Sequence, residues 1–118
     1  MTVNSKWLSS VVLAVGVCFT SSGNANEQVG PRLITHIGCH HSDGTCFVSL
    51  DGPAFGAQQN CLQGATTQFR FDNAETPHGR RTYASLMGAY LARKQVSVAI
   101  SGCSSQGVPS LSWFVISG

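Results

Sequence analysis

The stretch TPHGRRTYASLMGAYLARK, residues 76–94, decides how the rest of the chain is read. Tyr83, Leu86, Met87, Tyr90 and Leu91 recur at i, i+3, i+4, i+7 and i+8, which puts all five on one face of a 3.6-residue helix. Thr76 is placed to cap the first amides, and Pro77 suits the first helical position, where an N–H would have no partner anyway. Arg93 and Lys94 close the segment opposite the negative end of the helix dipole. Short runs that alternate apolar and polar residues flank it on both sides, and that is the period of strands. A lone helix among strands must bury its apolar stripe on a sheet. The sequence therefore predicts a mainly β, α+β domain with one amphipathic helix packed on it.

Upstream of the helix, residues 66–72 read as a strand with Phe69 and Phe71 inward and Gln68, Arg70 and Asp72 outward. Residues 52–64 carry Gly, Pro, Gln and Asn without a period and read as a loop anchored by Phe55 and Cys61. Residues 45–50 form a strand with Cys46, Val48 and Leu50 on one face and Phe47 and Ser49 on the other. Residues 32–38 form the first strand, after a lead-in at 26–31. Downstream, residues 95–101 place Val96, Val98 and Ile100 inward, and a turn segment spans 102–110. In the last strand, 111–117, Leu111, Trp113 and Val115 share one face and Phe114 and Ile116 the other, with Trp113 assigned to the core. The order β-β-β-α-β-β has turns short enough for antiparallel neighbours. Five such strands curl, and with the helix at one end they predict a small antiparallel barrel of the oligonucleotide/oligosaccharide-binding (OB) type. An open α+β sheet with the helix lying across it is the alternative.

The ends and the cysteines bound the rest. Residues 1–25 have the three-part layout of a cleaved signal peptide. Lys6 begins it, an apolar run fills 7–19, and Gly23-Asn24-Ala25 puts small residues at −3 and −1. The run is shorter than the ~20 residues of a membrane span. Val17 precedes Cys18, where a lipid-modified cysteine normally follows a small residue. The expectation is a secreted or periplasmic product, free of the membrane, with one domain over 26–118. Losing Cys18 leaves four cysteines, Cys39, Cys46, Cys61 and Cys103, and an even set in an exported chain favours two disulfides. Cys39 and Cys46 flank a turn-rich segment from His40 to Thr45, while Cys61 precedes the third strand and Cys103 closes the fourth. The strand pattern selects the pairing 39–46 and 61–103. Loop-closure entropy assigns about 4 kcal/mol to the long bridge and about 2.5 kcal/mol to the short one.

Composition narrows the function classes. Residues 26–118 hold the acids Glu27, Asp43, Asp51, Asp72 and Glu75 against the bases Arg32, Arg70, Arg80, Arg81, Arg93 and Lys94. That balance argues against nucleic acid, where a basic face supplies most of the affinity. A surface so poor in charge suits self-association or contact with neutral, sugar-like ligands.

Candidate chemistry is sparse. His36, Cys39, His40, His41 and Cys46 are metal-ligand types at close spacing, with bonds of about 2.0–2.3 Å to Zn²⁺. A disulfide-closed turn with exposed histidines is the better reading, because exported cysteines oxidise together. No serine lies in a Gly-x-Ser-x-Gly elbow. Asp43, Asp51 and Asp72 each stand at a turn or strand end, where Asp caps amides. Arg80 and Arg81 are read as solvated, and Tyr83 and Tyr90 as core. The expectation is a non-catalytic protein without cofactor or metal, whose assigned residues are the four cysteines.

Taken together, Tyr83-x-x-Leu86-Met87-x-x-Tyr90-Leu91 on a single helix, followed by Lys94-x-Val96-Ser97-Val98-x-Ile100-Ser101-Gly102-Cys103, resembles two related groups. One is the B subunits of the subtilase-cytotoxin and pertussis-like AB5 toxins. The other is a set of small exported bacterial proteins with the same helix-then-strand signature. The resemblance covers residues 32–118 as an order of elements and is specific over 83–103. It implies an OB-like barrel, a homo-oligomer that would be a pentameric ring, and a glycan or protein partner. The sialic-acid-binding toxin subunits place a serine shortly before the Ile-Thr of the first strand. Here Gly30 and Pro31 precede Ile34-Thr35, and the long aromatic segment after the helix is absent, so no sugar-binding residue carries over. The competing expectation is a structural or accessory exported protein with no small-molecule ligand.

Overall fold

In a computed structural model, Gly16 and residues 26–118 are described; the leader read in residues 1–25 otherwise lies outside the described residues. Along the chain come β1 (Glu27–Cys39), β2 (Cys46–Leu50), β3 (Gln68–Phe71), α1 (Pro77–Ala92), β4 (Gln95–Cys103) and β5 (Pro109–Ser117). Pairing runs β1-β2-β3-β5-β4 and returns from β4 to β1, so the five-stranded sheet closes on itself. The sheet is mixed, which corrects the antiparallel expectation. Four seams are antiparallel, but β3 meets β5 in parallel through the single pair Arg70↔Ser110. The cause is the crossover: α1 and β4 intervene, and β5, turning back from β4, runs alongside β3 in the same direction.

β1 starts five residues earlier than the sequence suggested, so residues 27–31 are strand rather than lead-in. Pro31 concealed this, because proline is poor in strands away from edges and bulges. It is accommodated at a register shift between Val29 and Arg32 in the pairing with β4. Gly30 is required there, since a Cβ would stand 2.6 Å from the Val96 carbonyl oxygen.

The core joins the inward faces of all five strands to the helix. Val48, Phe69, Leu86, Val96, Val98 and Ile100 are fully buried, and Cys46, Leu50 and Phe71 nearly so. Each large apolar side chain buried this way contributes about 1.5–3 kcal/mol. The helix, whose side of the sheet is β1, does not bury the stripe its large residues suggested. Gly79, Leu86 and Ala89 are the buried positions, with Tyr83 half-buried against the core. Tyr90 and Leu91 are exposed, which corrects the core assignment of Tyr90. Small residues set the contact face: at Gly79 a Cβ would lie 1.9 Å from the Asn73 carbonyl oxygen. Thr76 caps the helix as expected, accepting from the Gly79 amide at 3.1 Å. The basic last turn is corrected, because the helix ends at Ala92 and Arg93 is the left-handed C-cap with φ 55°. Lys94 then reaches the Gly118 carbonyl at 3.3 Å.

Trp113 is the other correction. It is 40% exposed, whereas Leu111 and Phe114 pack against the core. Val98 pairs with Phe114, Ala99 with Trp113 and Ile100 with Leu111, so Ser112 is an extra residue on β5. That bulge reverses the alternation on which the sequence reading of this strand depended. Among the described residues no helix is long and apolar enough to cross a membrane.

Candidate functional site

Two turns meet at one end of the closed sheet. The β1–β2 turn is folded by its own side chains, as Asp and Gly dictate. Asp43 Oδ1 accepts from the Thr45 amide at 3.0 Å, and the His40 amide donates to the Thr45 carbonyl at 2.8 Å. The Thr45 amide is the main reason that the Asp43 carboxyl is held below its ordinary value; neighbouring His40 adds to this, while burial opposes it. The β4–β5 turn docks onto this loop through Asp72, just beyond β3. Asp72 Oδ2 accepts from the Ser105 amide at 2.8 Å, and its Oδ1 accepts from the hydroxyls of Ser105 at 3.0 Å and Thr45 at 3.2 Å. Gln106 completes the tie, its Nε2 donating to Asp43 Oδ2 at 2.8 Å. The same Nε2 lies 3.0 Å from His40 Nδ1, which accepts when that nitrogen carries no proton. His40 Nδ1 is also 3.4 Å from Asp43 Oδ2 and would donate there when protonated.

Both bridges brace this end. Cys39 and Cys46 are directly opposed in the β1–β2 register and joined, and Cys61 is joined to Cys103 across 42 residues. The sulfurs of the His36–Cys46 cluster are thus used in a disulfide. Among the described residues no three His, Cys, Asp or Glu side chains gather around one point. Of the three aspartates only Asp43 caps a local amide as expected, whereas Asp72 accepts from distant Ser105 and Asp51 Oδ1 accepts from the Leu33 amide across the strands at 3.0 Å.

Beside the turns, the outer face of β2 and β3 carries an ordered row. Phe47 pairs with Arg70 across the strands, and the guanidinium lies 5.9 Å from the ring centroid. His40 meets the same ring edge-on at 5.8 Å. Gly38 leaves room for that ring, since a Cβ there would come within 2.7 Å of Phe47 Cζ. Arg70 Nε donates to Gln68 Oε1 at 2.8 Å, which fixes the plane of the guanidinium.

The chain was compared with protein-family models, curated proteins and solved structures, and none matches.

Two hollows flank the joined turns. One, of about 450 Å³, is lined by His40, His41, Glu75, Arg80, Tyr83 and the 39–46 bridge. The other, of about 500 Å³, lies between the outer face of β3 and the β4–β5 turn, with Gln63, Thr66, Gln68, Arg70, Gln106 and Val108 on its walls. Of the residues singled out in the sequence, His40, Cys39, Cys46, Asp43 and Asp72 are brought to this end, whereas His36 turns aside to Thr35 Oγ1 at 3.1 Å. Arg70, Gln68 and Phe47 were legible only as outward-facing positions. Gln106 carried no signal, because its partners are more than sixty residues away.

Proposed function

We propose that this chain is an exported, non-catalytic binding module with an OB-like barrel of the toxin B-subunit type, whose ligand surface is the end where the two turns meet. The observation that carries this reading is the closure β1-β2-β3-β5-β4 with the helix between β3 and β4. Barrels of that kind bind oligosaccharides or oligonucleotides on the strand 2–3 face and the loops joining strands 1–2 and 4–5. Here those two loops are tied through Asp72 and Gln106. Six bases against five acids in residues 26–118 favour a glycan or protein partner over nucleic acid. Two disulfides support an oxidising compartment, secreted or periplasmic.

Self-association is the second part of the reading. Trp113 and Val115 share one face of β5 and are 40% and 51% exposed, and Ile116 on the other face is 40% exposed, apolar area of the kind that marks interaction surfaces. A homo-oligomer, a pentamer by the toxin resemblance, would cover it. Sedimentation equilibrium of the purified protein, paired with a glycan array, tests both parts. A ring-sized mass with a glycan signal is expected. A monomer silent on the array overturns the proposal in favour of a structural or accessory protein without a small-molecule ligand.

A further inference from the structure

We propose that His40, Asp43 and Gln106 form a proton-sensitive latch between the two turns, closed while the His40 ring is neutral and loosened when Nδ1 takes a proton. The inference rests on the reading that this end is the ligand surface, and it names a regulation of that surface. The hydrogen-bond pattern is fixed by one atom. Oδ2 of the ionised Asp43 carboxylate only accepts, so the Gln106 amide must face it with Nε2, 2.8 Å away. The same Nε2 stands 3.0 Å from His40 Nδ1, which must then accept as well. An accepting Nδ1 belongs to a neutral imidazole whose proton sits on Nε2. The closed latch therefore occupies the one lone pair that a further proton could take. Protonation at Nδ1 sets donor against donor at 3.0 Å, while the new N–H has another acceptor in Asp43 Oδ2, 3.4 Å away. A bond between the turns is exchanged for an ion pair within the first turn.

Further observations fit a switch rather than a fixed tie. Gln106 Oε1 is buried without a hydrogen-bond partner among the described residues, a cost that the closed form bears and that loosening relieves by admitting water. The amide does not escape by turning over, because that would aim Oε1 at the Asp43 carboxylate. The side chains of His40 and Asp43 are 38% and 42% exposed, so protons reach them from solvent. The Thr45 amide holds the Asp43 carboxyl below its ordinary value, which keeps it charged throughout the range in which histidine changes charge. The other charged groups around His40 carry both signs. His41 shares its turn, Glu75, Arg80 and Tyr83 face it from α1 and the segment before it, Arg70 of β3 lies against the same Phe47 ring, and Asp72 is bonded to Thr45. β1, β2 and the β4–β5 turn bring no titratable side chain to the ring, since His36 turns to Thr35 and Cys39 is joined to Cys46. Among the described residues only Asp43 stands within ion-pair distance of it. The loosened form holds one proton more than the closed form, so falling pH favours it.

The test is nitrogen nuclear magnetic resonance of the purified protein, without ligand, from about pH 8 to about pH 5, the interval in which histidine side chains change charge. At the upper end the His40 ring is expected as the Nε2–H tautomer, read from its two nitrogen shifts. As the ring titrates, the Gln106 side-chain amide is expected to lose about five- to tenfold of its protection from exchange, relative to the intrinsic rate at each pH, the worth of one hydrogen bond. An Nδ1–H tautomer at the upper end overturns the latch, and so does protection that stays constant while the ring titrates. His40→Asn, which keeps an acceptor but cannot take the proton, is expected to hold the protection constant, and a loss that persists in it overturns the role of His40. The tautomer and the protection of the unaltered protein decide the latch whether or not that variant folds. A glycan array at both ends of the range separates this inference from the function on which it rests, with a weaker signal expected at the acid end. Equal signals overturn the regulation, and a positive array beside constant protection sinks the latch alone. A silent array at both ends, with a monomer in solution, sinks the function proposed above and the regulation with it.

Discussion

The turn before β5 and the second half of β5 belong to one short segment, yet they are held in opposite ways. Residues 104–108 are pinned by named polar bonds: Asp72 to Ser105, Gln106 to Asp43, and the Ser104 amide to the Val108 carbonyl at 2.7 Å. Residues 113–117 pair with β4 on one edge and present Trp113, Val115 and Ile116 to solvent. The first region is finished within the chain, and its specificity comes from directional bonds. The second is stabilised by its ladder but leaves apolar area for something else to cover. In the function proposed above, the polar closure is where a ligand would be recognised and the unclosed apolar area is where a second copy would be met.

The sharpest way to break the contrast is at the bridges. Replacing Cys61 and Cys103 together by serine removes the long cross-link behind the tied turns and is expected to cost about 4 kcal/mol, against about 2.5 kcal/mol for the Cys39 and Cys46 pair. Thermal unfolding of both double variants gives the order, and a reversed order would mean that the short hairpin carries the fold. Next comes Gly79→Ala, whose new methyl collides with the Asn73 carbonyl and is expected to destabilise by about 1–3 kcal/mol. Denaturant titration measures it, and an unchanged midpoint would show that α1 does not sit so close.

Asp72→Ala is expected to cost about 1–3 kcal/mol and to act locally. Hydrogen exchange should accelerate at Ser105 while the inner residues of β4 stay protected, and uniform acceleration would deny that Asp72 ties one end. Trp113→Ser should cost the monomer about 1–2 kcal/mol, because more than half of the side chain is covered, while reducing any self-association seen by sedimentation. A large loss of stability would return Trp113 to the core. The smallest effect concerns pH. Folding lowers the Asp43 pKa, so its contribution is complete above the ordinary carboxylate range and fades as pH falls through the lowered value. Amide exchange at Thr45 should rise over that acid window, and Asp43→Asn should flatten the response.

Much of the fold was legible because local pattern and tertiary role coincide. The alternations in β2, β3 and β4 placed Val48, Phe69, Val96, Val98 and Ile100 inside, where they are found. The two bridges are those that the turn and strand spacing selects. The misses share a cause. Pro31 interrupts the pattern of the first five residues of β1, the extra residue at Ser112 inverts β5, and the contact face of α1 is set by Gly79 and Ala89 as well as Leu86 rather than by its large apolar stripe. Each depends on how closely one element approaches another, which periodicity does not encode. The candidate site was readable in its local half, from Cys39 to Cys46, and unreadable in Gln106 and Arg70.

By itself the sequence determined what short-range chemistry controls: the capped helix, the strand periods, the turn that Asp43 and Gly44 make, and the two cysteines that flank that turn. Tertiary structure alone decided the parallel seam of β3 with β5, the exposure of Trp113 and the meeting of the two turns. Those outcomes depend on contacts between residues dozens of positions apart, and such contacts exist only after the sheet has closed.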